Sequence, residues 1–204
     1  MTTIATAPWS IVTGCERLTP GCDNCPTYWK HLKEGKDYHP TVNWDVFNDP
    51  MDNPDPTTYF VAAGSDMFHE AIRMEEIQKI FEVMNEAYWH EFQIGTKRIE
   101  RMEIMSARHL VWSDNMVAAT AVESAKHKWR IDALRGVDAR RMVSFGPLVG
   151  RVGEVDLAGI ESAGVVVEHW GKPRPVLPEW IEEIKSQCAD QGVIVNDQYW
   201  LCED

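Results

Sequence analysis

No run of about 18 apolar residues occurs in the 204-residue chain, so the sequence offers no membrane span. The opening MTTIATAPWSIVTG has neither a basic start nor an apolar core, so it does not read as a secretion signal. A reducing cytoplasm is therefore the expected setting, and disulfides are rare there. Positive charge is short as well: 20 Lys and Arg against 32 Asp and Glu leave a formal charge of −12. Such a chain repels phosphate backbones, so bulk nucleic-acid binding is not expected, and any local contact would need a basic patch. There is no internal repeat and no low-complexity tract. Cysteine is scarce, at five residues, an odd number.

What is present is concentrated. Three of the five cysteines fall in GCERLTPGCDNCPTYW, residues 14–29, as Cys15, Cys22 and Cys25 in a C-x6-C-x2-C spacing. Gly14, Pro20 and Gly21 bend the chain between them, which suits a metal or cluster site better than incidental thiols. Zinc would need a fourth ligand, for which His31, His39, Cys188 and Cys202 are candidates. A [4Fe–4S] cluster on three cysteines would leave one iron open to a ligand. On the residues alone both remain open.

The rest of the chain alternates. Strands are predicted near 9–14 and at 58–64, 92–96, 116–122, 141–145, 163–169 and 193–197, where short apolar runs end in turn residues. Helices are predicted between them at 70–89, 97–108, 124–136 and 177–192. Ile72, Ile77, Ile80, Phe81 and Met84 supply the helical spacing of the first, and Ser124 and Gly136 are the expected ends of the third. Alternation of this kind implies parallel β-α units. The fold class expected is α/β, one domain over residues 1–204, a partial or small TIM-like β/α barrel. Residues 33–58 hold Pro40, Pro50, Pro54 and Pro56 with little periodicity and read as an insertion, either a lid or a loose connection.

Polar residues cluster just after the strands, where barrel sites are built. Ser65, Asp66 and His69 follow one strand, Lys97 and Arg98 the next, and Glu123 ends the third. Ser65 or Asp66 could instead cap the following helix, and His69 alone could be a packed histidine. Lys97 and Arg98 sit where cations oppose a helix dipole, which favours a functional reading. Glu123 ends an apolar strand and is the residue least explained by packing.

These stretches also carry a resemblance. WSIVTGCERLTPGCDNC, SDMFHE, FQIGTKRIERM, AVES, RIDALR, SFGPLVG and EWIEEIKSQCADQGV occur in the order seen in a family of bacteriophage and prophage proteins of unknown function. That family is described as radical-SAM-like with a three-cysteine motif, and the likeness runs from about Trp9 to about Trp200. It implies a β/α barrel, a [4Fe–4S] cluster on Cys15, Cys22 and Cys25, and S-adenosylmethionine on the open iron. By the same resemblance Asp66, His69, Lys97, Arg98 and Glu123 would be catalytic, and Ser65, Ser144 and Glu168 cofactor-binding. A small-molecule or nucleotide-type substrate and the cytoplasm of an infected host would follow.

Four departures stand against the family pattern. Pro26 replaces an aromatic after the third cysteine, Gly146 stands where a carboxylate is usual, VVEHWGKP keeps Glu168 but loses paired glycines, and NDQYW stands where the family ends in K-Q-W-G. They imply altered specificity or lost activity in this copy. A different class of function is the alternative: a zinc-stabilised degenerate barrel acting as a binding or host-interaction protein.

Overall fold

The structure is a computed structural model that describes residues 4–35 and 38–196. Among these, nine strands and six α-helices follow in order: β1 (Ala5–Trp9), β2 (Val12–Thr13), α1 (Pro26–Lys33), β3 (Thr41–Val42), α2 (Asp49–Asp52) and β4 (Thr57–Val61). Then come α3 (Met74–Glu86), β5 (Glu91–Thr96), α4 (Ile99–Ser106), β6 (Met116–Ala121), α5 (Trp129–Arg135), β7 (Arg140–Phe145), β8 (Ser162–Val165), α6 (Pro178–Asp190) and β9 (Ile194–Asn196).

Seven strands form one sheet in the order β1-β4-β5-β6-β7-β8-β9, every neighbouring pair parallel. The order never reverses. Crossovers of one hand then place all the helices on one face, whereas a doubly wound sheet would need a switch point. The sheet accordingly curls into a half-barrel with its helices outside, the expected class. The outer face carries the core, with Ile94, Ala118, Val143 and Phe145 packed among Ile77, Ile80, Met84, Ile99, Met102, Ile131 and Leu134 of the helices. On the concave face Gly95, Ala119, Ala121 and Ser144 are small, and the missing side-chain volume becomes a cavity.

The elements differ from the sequence expectation where local pattern was weak. The first strand is β1, ahead of the predicted WSIVTG. It is an edge strand in which Ala5, Thr6 and Pro8 are exposed, so no apolar run announces it. Residues 12–13 instead pair with 41–42 in a small antiparallel ladder. Helix α3 begins at Met74, with Arg73 and Glu76 forming reciprocal hydrogen bonds at its start, so neither Ser65 nor Asp66 caps it. Ser124 makes no side-chain cap bond, and 124–136 divides into a 3-10 turn at 125–127 and the helix α5. Helix α1 went unpredicted although Pro26 occupies its first turn, where a missing N–H costs nothing.

The later part of the Pro-rich stretch, residues 46–57, is packed against the sheet and the turn before β5. Val46 O accepts from Trp9 Nε1 at 2.7 Å and Pro50 O lies 2.8 Å from His90 Nε2. His90 Nδ1 in turn accepts from Thr57 N at 3.1 Å, fixing the start of β4. Among the described residues no helix is long and apolar enough to cross a membrane.

Candidate functional site

The C-terminal ends of the strands and the cysteine loop enclose a cavity of about 280 Å³. Cys15, Cys22 and Cys25 all line it, together with Tyr38, Asp66, Lys97, Arg98, Ser144 and Glu168. None of the three cysteines is in a disulfide.

Backbone requirements hold the loop in place. Gly14 has φ +80°, and a Cβ there would lie 2.3 Å from His39 O, so the residue before Cys15 must be glycine. Ser65 Oγ donates to Gly14 O, which ties the loop to the turn after β4. Gly21 is needed for a different reason: its Cβ would sit 2.3 Å from Glu123 Oε1. The loop backbone lies directly on that carboxylate.

Glu123 is wholly buried and pairs with Lys97, itself one-fifth exposed. Thr19 Oγ1 donates to Glu123 Oε1 at 2.7 Å. Lys97 Nζ donates to Cys22 Sγ and to Thr19 Oγ1, both at 3.3 Å. Burial pushes the Cys22 thiol up, but the Lys97 charge and hydrogen bonds from the Leu18 and Thr19 region bring it below its ordinary value. Burial opposes the Lys97 charge, and Glu123 and Cys22 reverse this, so its pKa is raised. Cys15 differs: burial, then Asp66, push its thiol up to about 11. All three thiols also act on the Tyr38 hydroxyl, which burial and then Cys25 and Cys15 hold protonated. That hydroxyl donates to Gly64 O at 2.7 Å.

A second ion-pair group stands beside the first. Arg98 Nη1 donates to Asp66 Oδ2 at 3.0 Å and Nε to Glu70 Oε2 at 2.9 Å. Asp66 Oδ1 accepts from Thr96 Oγ1 at 2.7 Å and from Phe68 N at 3.0 Å, so the carboxylate serves the turn as well as the arginine. Across the cavity Glu168 is nearly buried and held by Arg174, by Asn24 Nδ2 at 2.9 Å and by Arg174 N at 2.8 Å. Burial raises the Glu168 carboxyl, but these hydrogen bonds bring it below its usual range. Arg174 Nη2 also donates to Pro20 O at 2.8 Å, so the segment after β8 is latched to the cysteine loop.

The structure thus brings Asp66, Lys97, Arg98, Ser144, Glu168 and the three cysteines to one cavity, with Glu123 directly behind Lys97. His69 is not among them: its Nδ1 accepts from Ala71 N at 3.1 Å, a turn contact, and its ring is buried. Ser65 reaches the cavity wall with its hydroxyl already engaged. Cys188 is fully buried in the outer core on α6 and does not join the loop cysteines as a ligand. Cys202 lies outside the described residues. Thr19, Asn24, Tyr38 and Arg174 were missed, because only tertiary structure sets them beside their partners. Thr19 and Asn24 fall inside the cysteine loop, which was the one available signal.

Gly146 has a structural reason of its own. Its φ is +157°, and a Cβ would lie 2.4 Å from Val166 O. A side chain there would displace the backbone after β8, so this backbone path requires glycine at the place where the resemblance puts a carboxylate.

Among the described residues no three His, Cys, Asp or Glu side chains stand gathered at the spacing of a single metal ion. The donors present are three unbridged thiols on one loop, facing one cavity.

Residues 2–200 match the family described as "Protein of unknown function (DUF5131)". None of the curated proteins matches the chain. Two solved structures share its fold. One is a spore photoproduct lyase mutant with bound AdoMet and dinucleoside spore photoproduct, with a TM-score of 0.55 and 14% identity over 88% of this chain and 59% of that one. The other is spore photoproduct lyase complexed with dinucleoside spore photoproduct, with a TM-score of 0.55 and 14% identity over 96% and 62%. The chain spans about three fifths of the length of these structures, and the likeness is one of fold, a parallel β/α half-barrel.

Proposed function

The chain belongs to the DUF5131 family of proteins of unknown function, and we propose that it is an iron–sulfur enzyme of the radical-SAM type. Cys15, Cys22 and Cys25 would hold a [4Fe–4S] cluster, and S-adenosylmethionine would share the cavity with a small nucleotide-type substrate. The observation that carries this reading is the convergence of three unbridged thiols on the cavity at the C-terminal mouth of the half-barrel. Its support from comparison is that one structure of the same fold is described with AdoMet and dinucleoside spore photoproduct bound, and the other with dinucleoside spore photoproduct.

The donor chemistry fits the group. Zinc would draw its sulfurs to within about 2.3 Å of one point, whereas a four-iron cluster takes each thiolate to a different iron. The cluster reading therefore needs no prior gathering of the thiols. When bound, the cluster and S-adenosylmethionine supply a carbon radical that takes hydrogen from the substrate.

The remaining work falls to this chain's residues. Lys97 favours the thiolate at Cys22, whereas the Cys15 proton must leave as metal binds. Val61, Ala119 and Ala121 give the cavity an apolar floor that excludes water. Ser144 and Glu168 offer a hydroxyl and a carboxylate to ribose or amino groups, with Glu168 fixed by Arg174 and Asn24. Arg98 holds Asp66 at the cavity wall through an ion pair at 3.0 Å. Val167, His169 and Trp170 of the VVEHWGKP segment line the wall, so their size and chemistry would bear on what the cavity accepts.

The test is anaerobic reconstitution, then dithionite reduction with S-adenosylmethionine, reading 5′-deoxyadenosine. Cluster-bearing protein that forms 5′-deoxyadenosine supports the reading. A zinc protein without sulfide would support the binding-module alternative instead.

A further inference from the structure

The three cysteines are not in equivalent surroundings. Cys22 is approached by Lys97, whose Nζ lies 3.3 Å from its sulfur, whereas the cation beside Cys15 is Arg98, itself paired with Asp66 and Glu70. Thr19 Oγ1 stands 3.6 Å from the same sulfur. Behind both, Glu123 Oε1 accepts from Thr19 and pairs with Lys97. Glu123 has no exposed surface, and Gly21 presses against it, so the carboxylate has no room to swing away. His127 Nδ1 lies 3.5 Å from its other oxygen, which makes no hydrogen bond. The lysine ammonium is thus fixed between one sulfur and one carboxylate, with its direction set from behind.

Hydrogen bonds and charge at thiolate sulfurs are among the levers that set the potential of an iron–sulfur cluster. A donor with a full positive charge stabilises the reduced state, which carries one more negative charge. A carboxylate on the far side of that donor weakens the effect.

We infer that Lys97 is a positioning residue that, held by Glu123, hydrogen-bonds the Cys22 thiolate and sets how readily a cluster on these cysteines accepts an electron. This rests on the cluster reading above. The two residues act in opposite directions. Removing Lys97 makes reduction harder, and neutralising Glu123 makes it easier.

The experiment is a redox titration of the reconstituted protein with dithionite as the one-electron donor, followed by electron paramagnetic resonance without S-adenosylmethionine. Iron and sulfide are measured first for the parent, Lys97→Met, Lys97→Arg, Glu123→Gln and Thr19→Val. Lys97→Met should lower the reduction equilibrium by about tenfold, about 59 mV for one electron. Glu123→Gln should move it the other way, and Lys97→Arg should stay near the parent. Shifts of one sign in Lys97→Met and Glu123→Gln, or none, in proteins that carry the cluster would overturn the inference while leaving the cluster reading intact. A parent that takes up no iron and sulfide would overturn both. If Glu123→Gln fails to load, Thr19→Val serves in its place: it removes the hydroxyl between the carboxylate and the sulfur. A potential unmoved in both Thr19→Val and Lys97→Met refutes the role.

Discussion

Replacing Glu123 with leucine removes a carboxylate of nearly the same volume from beneath the cysteine loop. The change takes away the acceptor of the 2.7 Å bond from Thr19 and the partner of Lys97. Lys97 is only one-fifth exposed, so its ammonium is left largely without solvent. Breaking a buried pair by removing one partner costs about 3–5 kcal/mol. The residual exposure of Lys97 places this case near the lower end, about 3 kcal/mol. With a urea slope of about 3 kcal/mol/M, the unfolding midpoint of the metal-free protein should fall by about 1 M. The companion variant makes the argument sharp. Glu123→Leu with Lys97→Met removes both charges, and apolar replacement of a buried pair is close to neutral. The double variant should therefore recover most of the loss. A double variant at least as unstable as the sum of the two single ones would refute the ion pair as the source.

Three further outcomes follow from other parts of the site. Gly146→Glu should destabilise the protein and lower its melting temperature, with Gly146→Ala losing most of the same amount, because the first added carbon already meets Val166 O; a neutral Gly146→Ala would show that the segment yields. Glu168 has a folded pKa below its ordinary value, so its contribution is present above the ordinary carboxylate range and lost as pH falls through the depressed value. Arg174→Met should raise that folded pKa and move acid unfolding to higher pH by circular dichroism, and an unchanged acid midpoint would count against the latch. Replacing Cys188 with alanine should leave metal content unchanged, since it is buried on α6 away from the cavity, and loss of metal on that change would contradict the ligand assignment.

How far the sequence reaches depends on the range of the interaction. The strand-helix rhythm from β4 to β7 is legible because each helix must bury one face on a sheet whose outer side is mostly apolar, as Ile77, Ile80 and Met84 do on α3. The edge strand β1 is not, since half of it faces away from the core and Pro8 fits only there. The cysteine loop shows itself by spacing alone. Glu123 is visible as a carboxylate at the end of an apolar strand, but its partners Lys97 and Thr19 are 26 and 104 residues away, and only the curled sheet joins them. Glu168 and Arg174 lie close in sequence, yet their value comes from Asn24 and Pro20 across the cavity. Gly146 meets a steric demand of the segment after β8 that the sequence pattern does not display.

The measurement that bears most directly on the central claim is the metal and sulfide content of anaerobically prepared protein, with cysteine variants alongside. The account predicts a brown protein with about four irons and about four sulfides per chain. Replacing Cys15, Cys22 or Cys25 with alanine should abolish the colour. Stoichiometric zinc with no sulfide, or a cluster that survives loss of any one of these three cysteines, would contradict it.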